Sequence, residues 1–539
     1  MQFFKLFRAS GSVLQSISVR KRHLYQLPLV GSTLFDPSLM EMGFLMKSLL
    51  HQGTTQVFCL LQLGGARVNP SDLRKCLKML QMRHPLLRCR PQFIGGRFYL
   101  EHNWEIVIPI YISNSSWMET WRRIQSDVSP LWESTLQVWL IWDQEANRND
   151  IFLSLSHAIC DGVSAYMLIR ELLQLLSAPL ISSSLDILHA SPQDLSVAQD
   201  LLSRDSHNMP SSWERDSKGR AQGVQYYELP QKCNDGQVRF YLPRSSASLA
   251  FSSLTFGLLF SSILPLIQSL WHASSLLAIR LSGSESVLSP NDLAQKNKTL
   301  VRVIEVDSET LSRLKRRGRE FKASLTAAVT SAYVEALFAN PYSQTKPTLF
   351  KRLRNKIFTQ RANILWPVQL RPIYSKKCLK NELSMHTSFL TFSITASCVD
   401  RSAPDLWCVA RQLSDRARKR LRKKIPLVFS YFAARATATP LSRSQRGHSV
   451  FFSLSSLGVL NAPQSLGDWS LKNFLILCQV ASCKNPSVIM FTQAHQLTIT
   501  MLASHPSIEE KWLDKFEESF RISIRKMAYD ELSGFFSKG

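Results

Sequence analysis

The chain has 539 residues, 45% of them hydrophobic, which is enough to bury a large core in two or more domains. Lys and Arg number 65 against 40 Asp and Glu, so the formal charge is +25 and the surface attracts polyanions. No zinc-finger spacing, helix-turn-helix pattern or aromatic RNA-binding signature accompanies that charge, which sets nucleic acid aside in favour of acyl-CoA phosphates or an anionic lipid surface. The ten cysteines are scattered without paired metal-ligand spacing, and no metal site is expected.

Residues 1–34 carry Lys5, Arg8, Arg20, Lys21 and Arg22 and no acid, and read as a basic extension with the composition of an organelle-targeting segment. Phe58–Leu63 reads as a strand. Ser71 is the expected cap of a helix running through Gln81, with Leu73, Leu77 and Leu80 on one face. Strands are predicted at 98–100, 106–112, 136–142 and 151–156. The last of these runs into His157-Ala-Ile-Cys-Asp161-Gly162, and Val163 through Leu176 is apolar at helical spacing. A His and an Asp four apart therefore sit in a strand-to-helix loop, with Gly162 able to make a tight turn.

Residues 177–235 are rich in Ser, Pro, Asp and Asn, as a surface connection would be. Residues 245–279 contain no Asp, Glu, Lys or Arg and include Leu258, Leu259 and Ile263, which suggests lipid contact. The second half opens with a strand at 301–306 and helices at 308–319 and 324–337. Strand signals recur at 364–370, 389–394, 450–454, 488–491 and 496–502, and an amphipathic helix closes the chain at 507–527. Basic clusters fall at 315–319, 351–361 and 416–424. The expected domains are 35–235, a hydrophobic crossover at 236–295, and 296–539.

Several segments recur together in one order: Arg83-His-Pro-Leu-Leu-Arg88, the His157–Gly162 loop, Ser324–Leu337, Pro367-Val-Gln-Leu-Arg371 and Ser455-Ser-Leu-Gly458. Together they resemble the chloramphenicol-acetyltransferase-like acyltransferases, with their HxxxDG motif, the group that includes condensation domains, alcohol acetyltransferases and wax-ester synthases. Ser156 stands where the condensation and wax-ester branches carry a second His, and Ser456 stands where the late loop carries Asn. The alcohol-acetyltransferase branch fits best.

The resemblance implies an α/β fold of two subdomains, each a mixed sheet flanked by helices, with the active site in a tunnel between them. One complete membrane crossing at 245–279 would put the two halves of that site on opposite faces, so an interfacial or re-entrant segment is expected instead. The resemblance also implies an acyl-CoA-dependent O-acyltransferase acting on an alcohol or lipid hydroxyl, with acyl-CoA as cosubstrate and no bound cofactor. His157, an imidazole with an ordinary pKa of about 6.5, would be the general base. Asp161 could orient His157 or hold the loop by pairing with an Arg; the resemblance favours the second role, with Arg88 the first choice of partner and Arg371 the second. Gly162 would give the thioester close access, and Ser455, Ser456 and Gly458 would form an oxyanion or substrate loop. Alternatives are an N-acyltransferase, a stand-alone condensation-type enzyme, or a catalytically silent binding protein of the same fold. The expected form is a monomer on the cytoplasmic face of a membrane such as the endoplasmic reticulum.

Overall fold

The computed structural model describes residues 32–35, 56–177, 298–341, 361–372, 383–426 and 451–529, with short gaps at 95–96, 104, 127–133, 144–146, 384, 396–402, 463–464 and 481–484. The basic extension before residue 32, the 177–235 connection beyond Ser177, the uncharged 245–279 segment and the 351–361 cluster before Arg361 lie outside the described residues.

The first half builds on β2 (Gln56–Gly65), which is buried along nearly its whole length and pairs antiparallel with β7 (Arg148–Ser156). Between them in sequence come α1 (Pro70–Arg83), β3 (Cys89–Ile94), β4 (Arg97–Asn103), β5 (Ile110–Ser113), α2 (Trp117–Ser126) and β6 (Leu136–Asp143). A short strand, β1 (Ser32–Phe35), joins β4 and β3 in a small separate sheet. The Asn69 side chain caps α1 by accepting from the Ser71 N–H at 2.9 Å, so the cap lies two residues before the expected Ser71; Pro70 then occupies the first turn, where no N–H is needed. The strand predicted at 106–112 starts only at Ile110 and runs to Ser113, paired parallel with β6. Trp121 of α2 meets Phe58 edge-on at 4.8 Å, and Phe58 stacks on Phe152 at 5.5 Å, which seals one face of β2 and β7. The half ends with α3 (Gly162–Ser177).

The second half contains β8 (Lys298–Val306), α4 (Ser308–Glu320), α5 (Leu325–Ala339), β9 (Arg361–Gln369), β10 (Thr387–Thr395) and α6 (Ala403–Arg422). It continues through β11 (Phe451–Val459), β12 (Ser465–Leu466), β13 (Trp469–Cys478), β14 (Ser487–Gln493), β15 (Gln496–His505) and α7 (Glu510–Tyr529). Asp307 and Ser324 cap α4 and α5 by accepting from Thr310 N and Ala327 N at 2.8 and 3.2 Å. Tyr333 of α5 stacks on Phe452 of β11 at 4.0 Å and meets Phe516 and Phe520 of α7, so these helices pack on the second sheet through an aromatic cluster.

Two six-stranded sheets result, in the orders β12-β13-β2-β7-β6-β5 and β10-β9-β11-β14-β15-β8. The expected partition at residue 296 is too simple. Although β12 and β13 belong to the second half of the chain, β13 pairs antiparallel with β2 from Trp469↔Gly65 to Cys478↔Val57. The apolar run Phe474–Leu477 is buried there, where its backbone groups find partners along β2. The halves also meet through α2, where Trp121 Nε1 and Gln125 Nε2 both donate to Thr299 O at 3.3 Å.

Candidate active site

β7 ends at Ser156, the next three residues make a turn, and α3 begins at Gly162. The turn is closed by its own backbone and side chains. Ile159 N donates to Ser156 O at 3.1 Å, Ala158 N to the Ser156 hydroxyl at 3.3 Å, and the Cys160 thiol to Ser156 O at 3.4 Å. Ser156 is therefore a buried strut of the loop. His157 is half-buried, and its Nδ1 lies 2.8 Å from Cys160 O. A carbonyl oxygen only accepts, so Nδ1 carries the proton in that contact and Nε2 is the basic nitrogen of the neutral ring.

Asp161 turns away from this role. Its carboxylate is only 1% exposed, and the Oδ1 atom caps α3 by accepting from Ser164 N at 2.8 Å. Across the subdomain boundary Arg371 Nη1 donates to both oxygens at 3.1 and 3.0 Å, while Arg371 Nη2 donates to the Ser164 hydroxyl at 2.6 Å. Oδ2 further accepts from His386 N at 2.9 Å, Thr387 Oγ1 at 3.2 Å and Gln369 Nε2 at 3.3 Å. Burial pushes the Asp161 carboxyl up, but the Arg371 charge and the Ser164 and His386 N–H groups outweigh it, and the group is held below its ordinary range. A carboxylate so fully engaged has no capacity left to orient His157. It joins the loop to the ends of β9 and β10.

Arg371, the second choice, is thus the partner of Asp161, and Arg88 is not. Arg88 ends a short 3-10 turn, Pro85–Arg88, that leads into β3, and it lies buried near His102 of β4. Burial lowers the Arg88 pKa to about 10. Its segment supports the site differently. His84 Nε2 sits 2.6 Å from Glu171 Oε2, and Arg83 Nη2 is 3.5 Å from Glu171 Oε1, which fastens α1 to α3. Burial raises the Glu171 carboxyl, and its contacts with His84, first, and then with Arg83 and Arg170 pull it below its ordinary value.

Ser455, Ser456 and Gly458 do not form a loop. They belong to β11, whose parallel pairing with β14 slips between Ser456 and Val459, and Gly458 takes a φ of +80° there. Pairing with β9 ends at Ser453, so this stretch is extended backbone held by β14 on one side, and the Gly is the mark of a bulge rather than of a turn. The slip brings Leu457 against Gly162, where a Cβ on the glycine would stand 2.7 Å from Leu457 Cδ2. His157, Asp161, Gly162, Arg371 and the end of β11 therefore meet where the two subdomains meet.

Gln369, His386, Thr387, Ser164 and Glu171 were not singled out by the sequence. Gln369 lies inside the Pro367–Arg371 segment, which was the one available signal, and His386 has none. Burial and then the Arg371 charge push the His386 ring down to about 4, so it is neutral near pH 7. Among the described residues no group of three or more His, Cys, Asp or Glu side chains is placed to hold a metal ion.

No family model matches the sequence, and no curated protein does. Solved structures do. The chain is similar to the trichothecene 15-O-acetyltransferase of Fusarium sporotrichioides, with TM-score 0.61, 10% identity, and coverage of 94% of this chain and 99% of that one. It is similar to polyketide synthase associated protein 5 of Mycobacterium tuberculosis at TM-score 0.51 and 14% identity, over 88% and 96% of the two chains. The starter condensation domain of rhizomide synthetase, solved with C8-CoA, follows at TM-score 0.52 and 12% identity, over 92% and 95%. These likenesses establish the fold: two chloramphenicol-acetyltransferase-like subdomains, as the motifs implied.

Proposed function

We propose that the chain is an acyltransferase that moves an acyl group from acyl-CoA to the hydroxyl of an alcohol or lipid by direct attack. The observation that carries the reading is His157, its Nδ1 committed to Cys160 O, at the junction of the two subdomains. An O-acetyltransferase and a C8-CoA complex among the structures of this fold support the hydroxyl acceptor and the thioester donor.

In this mechanism the acceptor O–H gives its proton to His157 Nε2 as its oxygen attacks the thioester carbonyl carbon. The C=O pair moves onto oxygen, giving a tetrahedral oxyanion. When the intermediate collapses, the C–S bond breaks and the thiolate leaves with the proton returned by the imidazolium. The products are an ester and free CoA thiol, and no acyl-enzyme forms. Nδ1 stays protonated throughout, so the Cys160 carbonyl stabilises the imidazolium form. Donors from the Ser455–Gly458 stretch are the proposed partners of the oxyanion, because Leu457 brings that stretch against Gly162. Asp161 contributes geometry alone.

The test is thiol release by the purified full chain with short-, medium- and long-chain acyl-CoA and a panel of alcohols, the ester being identified by mass spectrometry. Release that requires an alcohol and disappears in His157→Ala is the expected result. Binding of acyl-CoA with no turnover for any acceptor would instead make the chain a silent binding protein, and release that depends only on amines would reassign the acceptor.

A further inference from the structure

Two basic runs distant in sequence lie together in space. Arg418 on α6 donates to Lys322 O just beyond α4 at 3.1 Å, a contact spanning 96 residues. Phe321 stacks on Trp407 of α6 at 5.5 Å, and the Ser414 hydroxyl accepts from Ser324 N at 2.9 Å, which seats the end of α4 along the body of α6, leading up to its basic last turns. Lys315, Arg319 and Lys322 are exposed on one side of this seam, and Arg418, Arg422 and Lys424 on the other. Glu320 and Asp415 offset part of the charge, Asp415 through Arg418 at 2.6 Å. Beyond Asp415, residues 416–425 hold seven Lys and Arg and no acid.

Cations at a helix C-terminus favour the helix dipole, and that explains those in its last turn. It does not explain the apolar residues among them. Leu421 and Ile425 are 37% and 38% exposed, and they bracket Arg422-Lys423-Lys424. Aliphatic side chains gain nothing from a nucleic-acid backbone, and single-stranded nucleic acid is held by aromatic stacking, which these positions lack. A lipid surface uses both features, because phosphate headgroups attract the cations while the aliphatic groups enter the headgroup boundary.

We infer that the end of α4 and the basic last turns of α6, linked through Arg418 and Lys322, form a docking face for an anionic phospholipid surface. The face belongs to the folded second subdomain and acts independently of the 245–279 segment and of acyl transfer. Among the described residues no helix is long and apolar enough to cross a membrane.

The experiment is vesicle flotation of the full chain with phosphatidylcholine alone and with phosphatidylcholine containing phosphatidylserine, at low and high salt. Wild type should float with the anionic vesicles only, and salt should weaken it because the Debye length shrinks. The variant K419E/R422E/K423E should lose about a hundredfold or more in partitioning, since each of the three cations near an anionic surface counts for roughly a fivefold factor. L421S/I425S keeps every charge and should lose several-fold on the same vesicles. Circular dichroism reports whether the variants fold, and K419Q/R422Q/K423Q replaces the charge reversal if it does not. Equal flotation on neutral vesicles, flotation unchanged in both variants, no flotation of wild type, or binding of an oligonucleotide in place of vesicles would each overturn the inference.

Discussion

The first subdomain makes its contribution to the site from nine consecutive residues, Ser156 to Ser164, while the second draws Gln369, Arg371, His386 and Thr387 from two strand ends and Leu457 from a third strand. The contrast follows from what each side has to do. A reacting imidazole needs one nitrogen fixed, which a single local turn accomplishes. A buried carboxylate needs donors from several directions, and no one segment of chain supplies them. The residue that reacts and the residues that hold it are therefore separable by mutation.

The largest expected effect lies on the reacting side. His157→Ala should lower turnover about 100- to 10,000-fold while leaving the melting temperature where it was. A variant that melts early would instead make His157 a structural residue and erase the contrast.

The holding side should give the opposite signature. Removing one member of a buried ion pair typically costs about 3–5 kcal/mol, so Asp161→Ala and Arg371→Ala should each lower stability by an amount of that order, with activity falling in parallel. Denaturant unfolding of the double variant should show a loss close to that of one single variant. Arg88→Ala should add to Asp161→Ala, because Arg88 lies elsewhere, and strong coupling between those two would restore the first-choice pairing.

A titration sharpens the same boundary. The folded pKa of His386 is about 4, below the ordinary 6.5, so the unfolded chain binds that proton more tightly. Stability is therefore complete above about pH 6.5 and falls as the pH drops toward 4, by up to ~1.4 kcal/mol per unit for such a group. His102, also pushed down to about 4 by burial and Arg88, acts in the same window. His386→Asn should flatten part of the slope in unfolding free energy against pH and leave the share due to His102. Asp161 and Glu171 are held below their ordinary values and subtract stability only at lower pH, below about 4.5. An unchanged slope in His386→Asn would mean that burial and the Arg371 charge do not hold this ring neutral in the folded chain.

The smallest effect concerns close packing. In Gly162→Ala the new methyl meets Leu457 Cδ2, and because that is the far end of a flexible side chain the expected loss is about 1–3 kcal/mol. Adding Leu457→Ala should recover much of the catalytic loss, as measured by thiol release, if the clash is what disturbs the loop.

Legibility in the sequence followed the same division. The site loop could be read because β7, the turn and α3 are consecutive and each has its own periodicity or composition. Arg371 was within reach because it ends a strand-like segment, but choosing it over Arg88 required knowing which sheet edge faces the loop. His386 and Glu171 carry no local pattern, since their importance comes only from neighbours far along the chain. Among the elements, β13 was missed because its apolar residues alternate poorly, being buried on both faces, and α6 because its Lys and Arg obscure the buried Leu406, Trp407, Ala410 and Leu413. The late Ser455–Gly458 stretch looked like a turn because Ser and Gly favour turns; tertiary pairing made it a strand.

The seating of β13 beside β2 also bears on biosynthesis. A ribosome delivers β2 early and β13 more than four hundred residues later, since Trp469 pairs with Gly65. Throughout that interval β2 can pair with β7 on one side only, and its other edge, Val57 to Leu63, stays open to any strand that reaches it. The amino-terminal half is therefore not a module that finishes folding on emergence. A product truncated before residue 469 should be a client of chaperones and proteases rather than a smaller stable domain, and exchanging halves between related chains would have to carry the 465–478 hairpin with the first sheet.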